Sequence, residues 1–204
     1  YQEIKKANTF LEMCKSPELA TEVTMQPIQI FDMDAAIIFA DILLPLEGLG
    51  FEIDFNPGPI IFNKIKSASD ITSLKSFNAV RDIPYLLSAI TQTKHELENS
   101  YKGTKALLGF SAAPWTLACY TIDQNPYKQF QNTILFAKQN KQAFLSLLDI
   151  YSDMIIEYLQ AQISAGADAV QLFDSWGGLL TSEDFKEFSL PSIEKICTTI
   201  AKTN

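Results

Sequence analysis

Several residue types are scarce in this chain, and each shortage excludes a class of protein. The 204 residues contain one histidine, His95, in a polar run, so neither a Ser-His-Asp triad nor a multi-histidine metal site can be built. One arginine, Arg81, among 16 basic side chains leaves little capacity for bidentate binding of carboxylate or phosphate. The 3 cysteines, an odd number without Cys-x-x-Cys spacing, favour reduced thiols over a disulfide framework.

Long apolar runs and phosphate-binding signatures are also missing. The apolar stretches fall far short of the roughly 20 residues that span a bilayer, which predicts a soluble protein with no membrane partner. A net charge of −8 argues against a nucleic acid partner. Gly48-Leu49-Gly50 lacks the third glycine of a dinucleotide fingerprint, and Gly109-Phe110-Ser111 lacks the second glycine of a nucleophile elbow. These absences disfavour nucleotide enzymes and serine hydrolases.

The residues that are present predict one α/β domain over 1–204. An apolar fraction of 47% is ample for a packed core. Three short apolar runs bounded by polar residues are typical of strands buried on both faces of a sheet. These runs cover 34–41, 105–111 and 167–174.

Apolar residues recur at helical spacing through most of the chain between these runs. Ser16-Pro17-Glu18 is a helix start, and that helix is predicted to end near Phe31. Further helices are predicted over 80–98, over 127–165 as two helices with Gly166 ending the second, and over 183–202 with Thr181 or Ser182 as cap. Apolar and acidic residues alternate over 51–55, which suggests a half-exposed strand or hairpin arm. Residues 112–114 are a turn signal.

Strands alternating with helices predict parallel βαβ units, in either a doubly wound sheet or a barrel. In both architectures, chemistry gathers at the carboxyl ends of the strands. Those ends hold Asp41, then 111–115, then 174–178, each polar or turn-forming. The same residue types also cap helices and turns, so at each position both interpretations stay open.

Four long segments carry a resemblance to a known family. They lie at 16–28, 34–43, 109–118 and 172–180, and include Ala113-Pro114-Trp115-Thr116-Leu117 and Phe173-Asp174-Ser175-Trp176-Gly177. On these segments the chain resembles the uroporphyrinogen decarboxylase family in its bacterial form. The resemblance implies a TIM-type (β/α)8 barrel and a cytoplasmic homodimer in haem biosynthesis. It also implies removal of the four acetate carboxyls of uroporphyrinogen III, giving coproporphyrinogen III, with neither cofactor nor metal.

The resemblance also implies roles for individual residues. Asp41 would accept hydrogen bonds from the pyrrole N–H groups and stabilise a cationic intermediate, whereas the structural alternative is a cap for the turn that follows it. Tyr120 would hydrogen-bond the substrate and the aspartate, and otherwise is a half-buried core tyrosine. Ser175 would contact a substrate carboxylate, and otherwise caps a short turn. Apolar walls around the macrocycle would come from Ile37, Phe110 and Phe173.

The chain departs from the family pattern in three places. An Arg-x-x-x-Arg segment is expected just before Tyr1, and later strands and a substrate-binding histidine after Asn204. A glycine-rich stretch expected after Tyr120 is replaced by 121–126. A complete barrel needs about 250 residues, so we expect an incomplete barrel that lacks both ends and is inactive alone.

Two alternatives to the decarboxylase remain. One is a non-catalytic tetrapyrrole-binding paralogue. The other is a corrinoid-related methyltransferase on the same barrel, which is disfavoured because that group holds zinc with histidine and cysteine, and His95 and the cysteines have no suitable context.

Overall fold

Helices pack against one face of a small parallel sheet in the computed structural model, which describes residues 1–123 and 130–203. The helices are α1 (Gln2–Ala7), α2 (Phe10–Lys15), α3 (Pro17–Phe31), α4 (Ala68–Thr72), α5 (Ala79–Asp82), α6 (Pro84–Tyr101), α7 (Pro114–Ile122), α8 (Gln131–Gln139), α9 (Lys141–Ala165), α10 (Ser182–Phe188) and α11 (Leu190–Thr203). The strands are β1 (Ala35–Ile37), β2 (Ile53–Phe55), β3 (Pro59–Ile61), β4 (Ala106–Ala112) and β5 (Ala169–Phe173).

The parallel sheet has the strand order β1-β4-β5, with β4 in the centre. Ala35 pairs with Ala106 at one side of β4, and Leu108 pairs with Ala169 at the other. Each crossover moves to the next strand in the same direction, as between successive strands of a barrel. The three predicted strands are therefore confirmed: β1 and β5 are shorter than their apolar runs, and β4 is shifted by one residue.

The prediction that these strands are buried on both faces is wrong for β1 and β5, whereas most of the central strand β4 is buried. Ile37 is 58% exposed and Phe173 is 41% exposed. The register places Ile37, Phe110 and Phe173 on one face, whereas α3, α6 and α9 pack against the sheet from the side of Ala36 and Leu107. Within the described residues helices cover one face, and on the other face Ile37 and Phe173 meet solvent while Phe110 of the central strand is buried.

Local capping explains where two predicted helices begin or end. The Ser16 side chain accepts a hydrogen bond from the Leu19 N–H, and Pro17 occupies the first helical position of α3, as expected. Gly166 ends α9 with φ 119°, a left-handed conformation that glycine adopts without strain. The predicted pair of helices before Gly166 corresponds to α8 and α9, while the expected start at Tyr127 lies outside the described residues.

Several helices differ from the sequence prediction. The signal at 112–114 marks a helix rather than a turn, because Pro114 begins α7. The helix expected over 80–98 is divided at Ile83, before Pro84. The last helix is likewise divided at Ser189 into α10 and α11, with Thr181 as the cap of α10. Proline stands in the first turn of each new helix, where its missing N–H costs nothing.

The N-terminal helices α1 and α2 were not expected from periodicity, because six residues hold too few turns to show one. A capping box nevertheless marks the start of α2. Thr9 accepts a hydrogen bond from the Glu12 N–H, and the Glu12 carboxylate accepts one from the Thr9 N–H at 2.7 Å. The expected hairpin arm is confirmed, since β2 pairs antiparallel with β3.

The histidine and the cysteines lie where the sequence suggested. His95 is exposed on α6. The three cysteines are free thiols, with Cys14 and Cys119 buried and Cys197 exposed. Among the described helices, none combines the length and apolarity that crossing a bilayer requires.

A glutamine of α9 holds the central strand in place. The buried Gln162 accepts a hydrogen bond from the Phe110 N–H through Oε1 (2.9 Å) and donates to the Phe110 carbonyl through Nε2 (2.9 Å). The amide thus satisfies both backbone groups of one residue in β4. Its close approach depends on Gly109, because a Cβ at that position would collide with Gln162 Oε1.

Gly109→Ala is expected to destabilise the fold by about 1–3 kcal/mol, because the added methyl group displaces the Gln162 amide and strands buried polar groups. Urea unfolding of the protein expressed from its complete gene measures this cost. Gly58→Ala is the matched control, since nothing lies within 4 Å of its Cβ position. Equal stabilities of the two variants would contradict the role given to Gln162.

Candidate functional site

The carboxyl ends of the parallel strands bring the sequence-predicted residues to one edge of the sheet. Asp41 follows β1, helix α7 with Tyr120 follows β4, and Ser175 follows β5. Because the strands are parallel and adjacent, these three connections share one edge. The site is built from this edge and from the N-terminal helices beside it.

Asp41 combines a structural contact with access to a cleft. Its Oδ1 accepts a hydrogen bond from the Leu43 N–H (2.8 Å), so the predicted turn cap exists. The same side chain also lines a cleft of about 720 Å³. Burial raises the pKa of Asp41, and the Leu43 hydrogen bond opposes that rise. No basic group pairs with Asp41 within 1–123 and 130–203, so its negative charge is poorly compensated.

The other walls of this cleft were missed by the sequence analysis. Lys5 of α1, Phe10 of α2 and Phe55 of β2 line it together with Asp41. The Phe10 ring contacts Phe55 with centroids 4.8 Å apart and contacts Phe39, beside Asp41 in sequence, at 5.5 Å. Only the tertiary packing of the two short helices brings these residues to the strand end, so no local pattern could have identified them.

Tyr120 lies half-buried on α7, as the core interpretation expects, and it is not among the residues that line the cleft beside Asp41. Its ring packs edge-on against Phe130 (5.7 Å) and Trp176 (6.2 Å). Burial raises the pKa of Tyr120, the Trp176 side chain lowers it, and the negative charge of Asp41 raises it further. The structure therefore brings Asp41 and Tyr120 within electrostatic reach of each other.

Ser175 is exposed in a loop whose flanking residues are fixed by hydrogen bonds. Asp174 accepts from the Thr116 hydroxyl (2.8 Å) and from the Ser189 hydroxyl (2.6 Å). The Trp115 indole N–H donates to the Trp176 carbonyl (3.0 Å). The loop thereby joins the residues after β5 to α7, and it presents Ser175 at the strand edge.

The three apolar residues expected as walls lie on the open face of the sheet. Phe110 and Phe173 contact each other edge-on, with ring centroids 6.0 Å apart. Ile37 and Phe110 line a shared hollow of about 310 Å³. These residues form a continuous apolar surface whose exposed members would be available to a large flat ligand.

The described residues around the strand ends lack a cluster suited to a metal ion. Within the described residues, no three His, Cys, Asp or Glu side chains cluster as a metal ion would require. The described side chains around Asp41 are one ammonium group, a carboxylate, amide and hydroxyl groups, and aromatic rings. Such a set can bind and orient a polar ligand and stabilise positive charge.

Comparison with known proteins adds an independent result. The model of the family described as "Uroporphyrinogen decarboxylase (URO-D)" matches residues 1–204. Proteins named uroporphyrinogen decarboxylase are 41% identical in Citrifermentans bemidjiense and 40% identical in Geobacter sulfurreducens, over 100% of this chain and 59% of each relative. In Carboxydothermus hydrogenoformans the identity is 42% over 100% of this chain and 57% of the relative.

The chain thus spans a little under three fifths of the length of these relatives. Among solved structures, a methyltransferase from Methanosarcina mazei superimposes with a TM-score of 0.77, covering 92% of this chain and 55% of that one. At 18% identity this likeness shows a shared fold and nothing of function. The predicted TIM-barrel class is confirmed, and the family match over 1–204 shows that the chain belongs to the uroporphyrinogen decarboxylase family.

Proposed function

We propose that the protein expressed from the complete gene decarboxylates the acetate side chains of uroporphyrinogen III, giving coproporphyrinogen III, without a cofactor. Family membership and the names of the relatives support the reaction class and the substrate. The observation that carries the proposal is Asp41, a poorly compensated carboxylate that lines a cleft at a strand end. A homodimer in the cytoplasm belongs to the same proposal, and sedimentation equilibrium tests the dimer.

The chemistry explains why a carboxylate is needed there. A proton added to a pyrrole carbon beside the acetate arm makes the ring cationic. The bond between the methylene and the carboxylate then breaks, its electron pair neutralises the ring, and carbon dioxide leaves. The methylene gains a proton and the ring carbon loses one, so each cycle consumes one proton. The cation formed in the first step is stabilised by a fixed anion in a partly dry cleft.

Asp41 would supply that anion, and its environment fits the role. Because the described residues give it one hydrogen bond, from Leu43, its remaining acceptor sites are available to pyrrole N–H groups. Burial raises the free energy of the charged Asp41 carboxylate and strengthens its attraction for a cationic ring. Tyr120 and Ser175 would bind the substrate's carboxylates, and Ile37, Phe110 and Phe173 would pack against its rings.

Asp41→Asn is expected to lower turnover by about 10²–10³-fold, because the amide keeps the shape and the Leu43 hydrogen bond but loses the charge. Anaerobic incubation with uroporphyrinogen III, with products separated by carboxyl number, measures the loss. Asp34→Asn is the control, since this exposed aspartate precedes the amino end of the same strand. Turnover retained by Asp41→Asn would refute the central role, and a wild-type protein that binds porphyrinogen without turnover would indicate a non-catalytic binder.

The raised pKa of Asp41 also predicts how stability changes with pH. The folded protein holds the Asp41 proton more tightly than the unfolded chain, whose value is about 3.9. The resulting stabilisation is complete below that value and is lost as the pH rises through the folded pKa. Asp41→Asn should therefore be more stable than wild type at pH 7.5 by more than at pH 4.5. Urea unfolding at both pH values tests this, and a difference that is constant with pH would contradict it.

Lys5 is expected to bind a carboxylate of the substrate, because it is a cation lining the same cleft. Lys5→Ala should raise KM about three- to fivefold with little change in kcat, since an exposed ion pair contributes similarly to ground and transition states. The effect should shrink at high salt. Lys6→Ala is the control, because the Lys6 ammonium pairs with Glu3 (2.6 Å) and does not line the cleft. Equal KM values for the two variants would contradict the substrate-binding role given to Lys5.

A further inference from the structure

The chain leaves the sheet between β1 and Asp41, and a threonine of α3 binds the backbone at the point of departure. Within the described residues, the last bond between β1 and β4 runs from the Ile38 N–H to the Leu108 carbonyl (3.0 Å). The next N–H along the chain, that of Phe39, donates to the hydroxyl oxygen of Thr24 (2.8 Å). Helix α3 therefore sets the direction of the chain two residues before Asp41.

The Thr24 side chain is well placed for this contact. It is 3% exposed, and its own hydroxyl proton is donated to the Ala20 carbonyl, one turn earlier in α3 (2.6 Å). A threonine inside a helix often binds the carbonyl four residues before it, and that bond fixes the side-chain rotamer. The hydroxyl oxygen is left as an acceptor, and the Phe39 N–H occupies it.

The central strand offers the departing chain no alternative partner. Leu108 and Phe110 are two residues apart in β4, so their backbone polar groups both point toward β1. The Gln162 amide already binds the N–H and the carbonyl of Phe110. The chain after Ile38 therefore cannot continue the pairing, and it depends on α3 for a backbone contact.

Two contacts with α2 place the same segment beside the cleft. The Phe39 ring packs edge-on against Phe10, with centroids 5.5 Å apart, and Phe10 lines the cleft together with Asp41. Beyond Asp41, the Glu47 carboxylate pairs with Lys15 (2.8 Å). This ion pair is partly exposed and contributes little. The hydrogen bond to the Phe39 N–H is made by a buried hydroxyl, so its loss leaves a partly buried donor without a partner.

We propose that Thr24 is a positioning residue for Asp41: the Thr24 hydroxyl binds the Phe39 N–H and thereby keeps the Asp41 carboxylate at the wall of the cleft. Thr24 is not among the residues that line this cleft, so its effect on a ligand there passes through Asp41. The inference rests on the proposed function only for the reaction that Asp41 serves. A misplacement of about 1 Å can lower a rate about a hundredfold, so a contact two residues away is close enough to matter.

The test removes the Thr24 hydroxyl at nearly constant shape. Thr24→Val lacks the acceptor and Thr24→Ser keeps it, and each is made in the protein expressed from its complete gene. Thr21→Val is the matched control. Thr21 lies on the same helix and is 7% exposed, but its hydroxyl donates to the Ala89 carbonyl of α6 (3.2 Å). Both valine variants lose a buried hydroxyl of α3 and some stability, whereas only Thr24→Val should displace Asp41.

Thr24→Val is expected to lower kcat for uroporphyrinogen III about 10–100-fold with little change in KM, because a displaced Asp41 stabilises the transition state less. Thr24→Ser and Thr21→Val should keep kcat close to the wild-type value. Adding Thr24→Val to Asp41→Asn should cause little further loss, since the residue that Thr24 positions has already lost its charge. Losses that multiply in the double variant would overturn the inference, as would an unchanged kcat in Thr24→Val.

The position of Asp41 can also be followed without turnover. Carbon NMR titration of protein labelled at the aspartate carboxyl carbons measures the pKa of Asp41, whose signal is assigned by its loss in Asp41→Asn. Burial raises this pKa in the folded protein. Thr24→Val should move the pKa toward the unperturbed value of about 3.9, because a released carboxylate gains access to water. Thr24→Ser and Thr21→Val should leave it in place.

An Asp41 titration that is the same in Thr24→Val and wild type would also overturn the inference. If Thr24→Val does not fold, Thr24→Ala, which likewise lacks the acceptor, replaces it in both measurements. Absence of turnover in the wild type would refute the proposed function alone, since the titration still decides whether Thr24 positions Asp41.

Discussion

Parallel pairing on both sides of β4 is the constraint on which the site depends. Because β1 and β5 each pair with β4 in the same direction, their carboxyl ends meet at one edge. That edge collects residues far apart in sequence, from Asp41 to Ser175. The central strand is also held by the Gln162 amide, which binds both backbone groups of Phe110 and needs the space above Gly109. A core contact of α9 thus supports the geometry of the site.

The sequence predicts the strands and their polar ends well, because short apolar runs bounded by polar residues are local patterns. Asp41 could be chosen from such a pattern and from family resemblance together. The hydrogen bonds among Trp115, Thr116, Asp174 and Trp176 could not, since they join residues about sixty positions apart. The sequence analysis did not identify Lys5 for the same reason. Its helix is six residues long, and only packing brings it to the cleft.

Helices bury one face of the sheet, whereas the sequence analysis predicts strands that are buried on both faces. A run such as Ala35-Ala36-Ile37 is apolar on both sides, yet α3 covers one side. The exposed members, Ile37 and Phe173, lie with Phe110 on a surface that has no helix against it in the described residues. An apolar run therefore indicates that its side chains are removed from water. It does not specify whether a neighbouring helix or a bound ligand covers them. In the proposed function the macrocycle of the substrate covers part of this surface.

The electrostatics of the site follow from the same arrangement. In the proposed function a chain with a net charge of −8 binds a polyanion, so the attraction would come from local donors rather than from the overall field. The described cleft offers the Lys5 ammonium at its wall and the poorly compensated Asp41 at the strand end. In the proposed function, the neutral hydroxyl of Tyr120 adds a donor that binds a carboxylate without neutralising Asp41.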